Sequence, residues 1–414
     1  MKQDHSYKPH PLAAVGGEGR DFYHFMNFSK LTQRRHTDSY KWDSAPSDDI
    51  IPLWVADMDF ETYPGITEAL QRRVAHGIFG YTRVPDSYYD AVCRWFAAHH
   101  GWNIRREDII YTSGVVPALS AIIKALTLPG DQVVVQGPVY NCFYSSIRNN
   151  GCEMVSNALT YDKQNRRYEI DFDDLDRKLS HERARLLLVC NPHNPGGRVW
   201  TRNELTRLAS IAQRHGVRIV SDEIHCELTL GDYQYTPLLS LPAELTAGCI
   251  ACCSPSKAFN TAGLQIANIV CPDPAARERI DRAININEVC DVNPFGVIAL
   301  QEAYSEGGYE WLTQLRQYLS DNYAMLCQRF AEELPGCPVM RMEGTYLAWV
   351  DCEALGISSE EIEERLMKED KVWVNAGSMY GSEGEHFIRV NMACPRERLE
   401  EGVSRIIKGI KRME

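Results

Sequence analysis

The chain has 414 residues, 44% of them hydrophobic, with 44 Lys plus Arg against 56 Asp plus Glu and a net charge of −12. That length exceeds what a single core fills, so two domains are expected, and the acidic balance repels phosphodiester backbones and argues against nucleic acid as a partner. No apolar run reaches the length of a membrane span, and the first residues carry no apolar signal segment, so the chain reads as cytoplasmic with no membrane role. Residues 1–28 are a polar, glycine-containing N-terminal extension with no assigned chemistry. Residues 29–60 are expected to pack with a small C-terminal domain. Apolar residues at helical spacing predict helices over 66–76 and 87–99, with a glycine-punctuated loop, His76-Gly-Ile-Phe-Gly-Tyr81, between them. A small turn, Thr112-Ser113-Gly114, precedes a predicted helix over 118–126, with Pro117 in its first turn. Short apolar runs at 186–190, 217–220 and 250–253, each closed by polar residues, read as buried parallel strands. Strand and helix patterns alternate to about Cys271, which predicts an α/β fold with a mainly parallel sheet of the seven-stranded type in a large domain, 61–300. Beyond it, a long helix over 305–330, a strand over 344–350 and a helix over 360–368 predict a smaller α+β domain, 301–414. The fourteen cysteines lack paired C-x-x-C spacing and read as free thiols in a reducing compartment, with no metal site.

Three strand-like runs lead into an amide, a carboxylate and an amine: Asn191-Pro-His-Asn194-Pro-Gly-Gly197, Ser221-Asp222-Glu-Ile-His225 and Ser254-Pro-Ser-Lys257-Ala-Phe-Asn260. In an open α/β sheet ligands sit outside the carboxyl ends of the strands, so these groups should meet in one crevice. The set suits pyridoxal 5'-phosphate. Lys257 would condense with the cofactor aldehyde, Asp222 would keep the pyridine nitrogen protonated, and Asn194 would hold the ring oxygen. Ser254 and Ser256 would offer hydroxyls to the phosphate, and Gly114 and Val115 would offer backbone N–H groups at a helix start. Tyr140 is either a stacking partner for the ring or a core tyrosine. Arg389, in the apolar run Phe387-Ile-Arg-Val390, needs a carboxylate, either from a substrate or from a structural ion pair. His225 is either close to a cofactor oxygen or a satisfied core histidine. Asp57 and Asp59 are read mainly as loop-ordering residues, and Cys190 either as a small core residue at a strand end or as a side chain near the cofactor.

These motifs resemble the fold-type I pyridoxal-phosphate enzymes of the aminotransferase class, and more narrowly the MalY/PatB subgroup of cystathionine β-lyases and cysteine-S-conjugate β-lyases. The narrower likeness rests on Pro52-Leu-Trp54-Val-Ala-Asp57-Met-Asp59-Phe60, His76 to Tyr81, Gly137-Pro-Val-Tyr140, the three segments above extended to Gln265, and Phe387-Ile-Arg389-Val-Asn391-Met-Ala-Cys-Pro395. Gln265 stands where aminotransferases place an Arg for the phosphate, and His225 where they commonly place a Tyr. The subgroup resembles this chain at both positions. The resemblance implies cleavage of cystathionine, cystine or a related amino-acid thioether to a thiol, pyruvate and ammonia, with Lys257 as general base. It also implies Arg389, Asn194 and Tyr140 at the substrate, and a homodimer in which Tyr81 reaches the neighbouring subunit's site and acts with Lys257. The apolar stretch Phe79–Tyr81 and Asn293-Pro-Phe295, otherwise a hydrophobic loop with no clear use, suit such an interface. Two alternatives stay open: an aminotransferase working between an amino-acid donor and a keto-acid acceptor, and a regulator-binding protein that keeps the lyase fold.

Overall fold

The computed structural model describes residues 27–286 and 291–414. The N-terminal extension up to residue 26 therefore lies outside the described residues. The central sheet has seven strands: β1 (Ile109–Thr112), β2 (Gln132–Val135), β3 (Glu153–Ser156), β4 (Ala184–Cys190), β5 (Arg218–Asp222), β6 (Ile250–Cys253) and β7 (Ala267–Val270). Their spatial order is β1-β7-β6-β5-β4-β2-β3. Only β7 runs against its neighbours β1 and β6; the other pairings are parallel. The strands read as unbroken apolar runs because both faces are covered. Val133, Val135, Leu186 and Leu188 pack with Leu119 and Ile122 on one side. Val134, Leu187 and Val189 pack with Leu205 and Leu208 on the other. Alternate residues of one strand thus feed two cores, as the two-residue period requires.

Four helices frame the part of the molecule that matters for chemistry: α1 (Pro64–His76), α2 (Asp86–His100), α3 (Val115–Leu126) and α4 (Pro294–Ala303). Helix α3 begins at Val115, three residues before the sequence expectation, because Pro117 is tolerated anywhere in a first turn, where its missing N–H has no intrahelical partner to lose. Residues 293–295 do not form the loop expected of them. Asn293 caps α4, its Oδ1 accepting from Phe295 N at 3.0 Å, and Pro294 fills the first turn. A methyl at Gly296 would meet the Leu264 carbonyl at 2.6 Å, so this glycine lets α4 approach the segment after Lys257.

The C-terminal part carries the antiparallel sheet β8 (Leu347–Asp351), β9 (Asn375–Ala376) and β10 (Phe387–Asn391), in the order β8-β10-β9. Helices α5 (Glu306–Glu333), α6 (Ser359–Glu369) and α7 (Arg396–Met413) accompany it. Strand β8 starts three residues later than the apolar pattern suggested, because Thr345 has φ +71°, which no strand accommodates. The N-terminal segment joins this part: Ile51 and Pro52 pair in parallel with Val372 and Trp373. Its following loop is fixed by buried charge. Asp59 faces Arg34 at 2.7 Å, Lys41 and Arg398 at 3.3 Å, and Trp42 Nε1 at 2.9 Å, while Asp57 faces Arg34 at 2.6 Å. Burial would raise the Asp59 carboxyl, but Lys41, the Trp42 N–H, Arg398 and Arg34 outweigh it and hold the group below its ordinary value.

Candidate active site

The ends of β4, β5 and β6 lie level, because Cys190 pairs with Asp222 and Asp222 with Cys252 across the ladder. Asp222 is therefore the last residue of the middle strand, between the turn that bears Asn194 and the turn that bears Lys257. The Ala56 carbonyl accepts from Lys257 Nζ at 2.6 Å and from Tyr346 Oη at 2.9 Å. Burial and the nearby Arg389 guanidinium lower the Lys257 pKa to about 8, against the opposing pull of Asp57 and Asp222. Burial raises Asp222 to about 7, although the Ile224 N–H (3.1 Å) and Lys257 favour its charged form. His225 is held well below its ordinary value by burial, Lys257 and Arg389, so it is neutral, and its Nδ1 has no hydrogen-bond partner.

Arg389 rises from β10 into the same space. Its Nη1 donates to Asn194 Oδ1 at 3.2 Å, and its Nη2 donates to Asn375 Oδ1 at 2.9 Å and to the Trp54 carbonyl at 2.8 Å. The guanidinium lies 4.8 Å from the Tyr380 ring centroid. All these partners are neutral, Nε is left without one, and Arg389 forms no ion pair among the described residues. A buried guanidinium so placed calls for an anion.

A cavity of about 510 Å³ unites these groups. Of the residues singled out from sequence, Gly114, Val115, Tyr140, Asn194, Asp222, His225, Ser256, Lys257 and Arg389 line it, together with Gln265 and Cys190. Cys190 is also buried, and its thiol meets the Pro192 carbonyl. The N-terminus of α3 carries no side-chain cap, which leaves its first N–H groups to the cavity edge. One expectation is not met, and the expectation for Tyr81, which concerns a neighbouring subunit, is not tested by a single chain. Ser254 is buried but does not line the cavity: its hydroxyl donates to the Ile266 carbonyl at 2.7 Å and accepts from Ser256 N at 3.1 Å, so it braces the loop around Lys257. Tyr81 is 96% exposed and lies outside the cavity lining. Sequence reasoning passed over Tyr40, Cys142, Asn375 and Tyr380, all of which line the cavity. Asn375 carried no local signal, since its role follows only from pairing with Arg389 across β9 and β10.

Sequence comparison gives the lineage of this arrangement. The profile of class I and II aminotransferases matches residues 48–406. The chain belongs to that family. It is 42% identical to cystathionine beta-lyase PatB of Bacillus subtilis over 92% of this chain and 99% of that one. Among solved structures, cystalysin from Treponema denticola, which contains a pyridoxal 5'-phosphate cofactor, superposes with a TM-score of 0.90 at 30% identity, covering 94% of this chain and all of that one. The pyridoxal-phosphate-bound C-S lyase from Staphylococcus hominis superposes at 0.86 with 31% identity, covering 93% and 98%. The family membership and these neighbours identify the architecture as fold-type I of the pyridoxal-phosphate enzymes.

Proposed function

We propose that this chain is a pyridoxal-phosphate-dependent carbon–sulfur β-lyase that cleaves cysteine thioethers, cystathionine among them, to a thiol, pyruvate and ammonia. The observation that carries the reading is Arg389: a buried guanidinium, satisfied only in part by neutral groups, sharing a cavity with a lysine of lowered pKa and a carboxylate of raised pKa. The residues present fit the cofactor. Asp222 is a buried carboxyl whose partner besides Lys257 is a backbone N–H, and a protonated ring nitrogen would compensate its charge. Lys257 would hold the cofactor covalently, Asn194 its ring oxygen and Tyr140 its face. The uncapped start of α3 at Gly114 and Val115, with the Ser256 hydroxyl, would hold the phosphate. His225, neutral and with Nδ1 unpartnered, is available to a cofactor oxygen. When bound, the cofactor supplies an electron sink for the bond breaking at the substrate's α-carbon.

The chain's own groups then divide the remaining work. Arg389 takes the α-carboxylate through its planar fork, and Asn194 and Asn375 fix the plane of that fork. Lys257, once released from its covalent role, takes the proton from the α-carbon; a pKa near 8 keeps a substantial neutral fraction at physiological pH. Tyr140 and His225 wall the site against water. Tyr81 is assigned to the site of a second copy of the chain in a homodimer. Ile78, Phe79 and Tyr81 are all large and more than half exposed, which supports an interface there. Among the described residues no helix is long and apolar enough to cross a membrane. The buried free thiols Cys226, Cys252 and Cys253 support a cytoplasmic setting.

The test is a product assay of the cofactor-loaded protein with L-cystathionine and other cysteine S-conjugates. Equal yields of pyruvate and thiol with sustained turnover support the β-lyase. Turnover that stalls until a keto acid is added assigns the chain to transamination instead.

A further inference from the structure

The Ala56 carbonyl has two donors of different kinds: Lys257 Nζ at 2.6 Å and Tyr346 Oη at 2.9 Å. Among the described residues it is the one hydrogen-bond acceptor of Lys257 Nζ. Its place is fixed from both sides, because Asn391 Nδ2 donates to the Val55 and Asp57 carbonyls. Tyr346 is fully buried, and among the described residues its hydroxyl bonds to nothing else. Burial raises that hydroxyl well above its ordinary value, so it stays a donor through the neutral and mildly alkaline range. The backbone just before it is strained. Thr345 has φ +71°, which β-branched residues rarely adopt. Its N–H donates to the Leu228 carbonyl at 2.7 Å, and its hydroxyl accepts from Leu347 N at 3.1 Å. Strain of this kind persists only where the surroundings impose it, and it gathers at functional sites.

A carbonyl oxygen shared with a hydroxyl is a poorer acceptor for an ammonium. The positive end of the Tyr346 O–H dipole lies at the oxygen on which a charged Lys257 would rest, and so disfavours the charge. The other groups that face Lys257 act on it directly. Arg389 from β10 opposes its charge, whereas Asp57 in the N-terminal segment, Asp222 at the end of β5 and Cys142 in the helix Asn141–Asn149 favour it. His225 is neutral. None of these shares the lysine's acceptor; Tyr346 does. We propose that Tyr346 is a positioning residue for Lys257: its hydroxyl and the Ala56 carbonyl form a dock that receives the released amine, ties one N–H so that the lone pair is oriented, and keeps the amine neutral to take the α-proton. The inference deepens the function proposed above and rests on Lys257 being its base. A Tyr81 supplied by a second copy is present in wild type and variant alike, so a comparison of the two is independent of it.

Capture of pyridoxal 5'-phosphate by the apoprotein, followed by stopped-flow absorbance across pH 6–10, reads the neutral fraction of Lys257. Tyr346→Phe removes the competing donor and leaves Lys257 on the Ala56 carbonyl, so no buried acceptor is orphaned and the variant should fold. Its capture midpoint should move up by about half a pH unit to one unit, the scale of one hydrogen bond. Capture at pH 7 should then slow about three- to tenfold, with the plateau at high pH unchanged. Replacing Tyr346 by 3-fluorotyrosine, a stronger donor of similar shape, should move the midpoint down. A midpoint that Tyr346→Phe leaves in place overturns the inference, whether or not the plateau falls, and so does a fluorinated chain whose midpoint stays or rises. The fluorinated chain keeps the contacts of the native side chain, so it decides the matter should Tyr346→Phe fail to fold. No thioether enters this assay. Absence of pyruvate from every thioether would therefore overturn the lyase reading alone and leave the midpoints to judge Tyr346.

Discussion

Lys257 and Arg389 are two cations facing one cavity, and the guanidinium alters the lysine. The guanidinium is, after burial, the largest cause of the lysine's low pKa. Arg389→Gln should therefore raise the Lys257 pKa above about 8. Since only the neutral amine condenses with the cofactor aldehyde, capture of cofactor by the apoprotein should need a higher pH, and stopped-flow absorbance across pH 6–10 would show the rise displaced upward. The same variant should lower kcat/KM for thioethers by roughly 10²–10³, the range expected when one partner of a desolvated charge pair is removed. Arg389→Lys should recover little of it, because a point charge cannot reproduce the fork held by Asn194 and Asn375. Asp222 carries the opposite liability. Its pKa is about 7 when folded and 3.8 ordinarily, so the folded apoprotein binds more protons than the unfolded chain across that interval. Stability from this group is complete below pH 3.8 and is progressively lost as pH rises to about 7. Asp222→Asn should therefore stabilise the apoprotein relative to wild type by an amount that grows over that window and levels off on the order of 4 kcal/mol. Thermal melts at pH 4, 6 and 8 would check it, and a constant difference would refute it. The variant should at the same time lose most catalytic activity.

At the scale of elements, the segment from β-pairing at Ile51 to Phe60 is held by buried charge as well as by the apolar packing of Leu53, Met58 and Phe60. Lys41 and Asp59 have fully buried side chains and face each other at 3.3 Å. Asp59→Ala leaves Lys41, Arg34 and Arg398 short of a carboxylate and should cost about 3–5 kcal/mol in urea unfolding at pH 7. Replacing Lys41 and Asp59 together by apolar residues should cost much less than the single change. Asp59's lowered pKa gives the sign of its pH dependence: its contribution is present above pH 3.8 and lost as pH falls through the lower folded value. The sequence announced some of this and hid the rest. Lys257, Asp222 and Asn194 were legible because each follows its own apolar strand, a local pattern with a fixed geometric meaning. The loop-ordering part of Asp57 and Asp59 was legible from two carboxylates placed beside a strand end. The partners of Arg389 were not, because Trp54 and Asn194 lie 335 and 195 residues away and meet it only through the fold. Ser254 looked like a phosphate ligand because it offers a hydroxyl in the turn that bears Lys257, yet local hydrogen bonding within its loop claimed the hydroxyl first. The start of α4 was missed where an apolar loop was read, although Asn before Pro is a capping signal.

At the scale of the whole molecule, the exposed loop of Ile78, Phe79 and Tyr81 sets the expected assembly. If Tyr81 serves the neighbouring subunit's site, a mixture of Lys257→Ala and Tyr81→Phe chains should recover activity that neither has alone, approaching a quarter of wild type per site for random pairing, and sedimentation equilibrium should report a dimer. A mixture no more active than its parents would place Tyr81 outside the reaction. The loop that bears Lys257 and the C-terminal sheet meet along residues 54–57, whose backbone carbonyls reach both. Trp54 O accepts from Arg389, Ala56 O from Lys257 and Tyr346, and Val55 O and Asp57 O from Asn391. Side-chain replacement deletes none of these acceptors. The distance between the proposed base and the carboxylate anchor is therefore robust to point mutation here and fragile to length: removing or adding one residue would shift every acceptor by a place and disengage both cations together. Natural variation in this stretch should accordingly run through substitutions, while insertions and deletions are confined to its flanks.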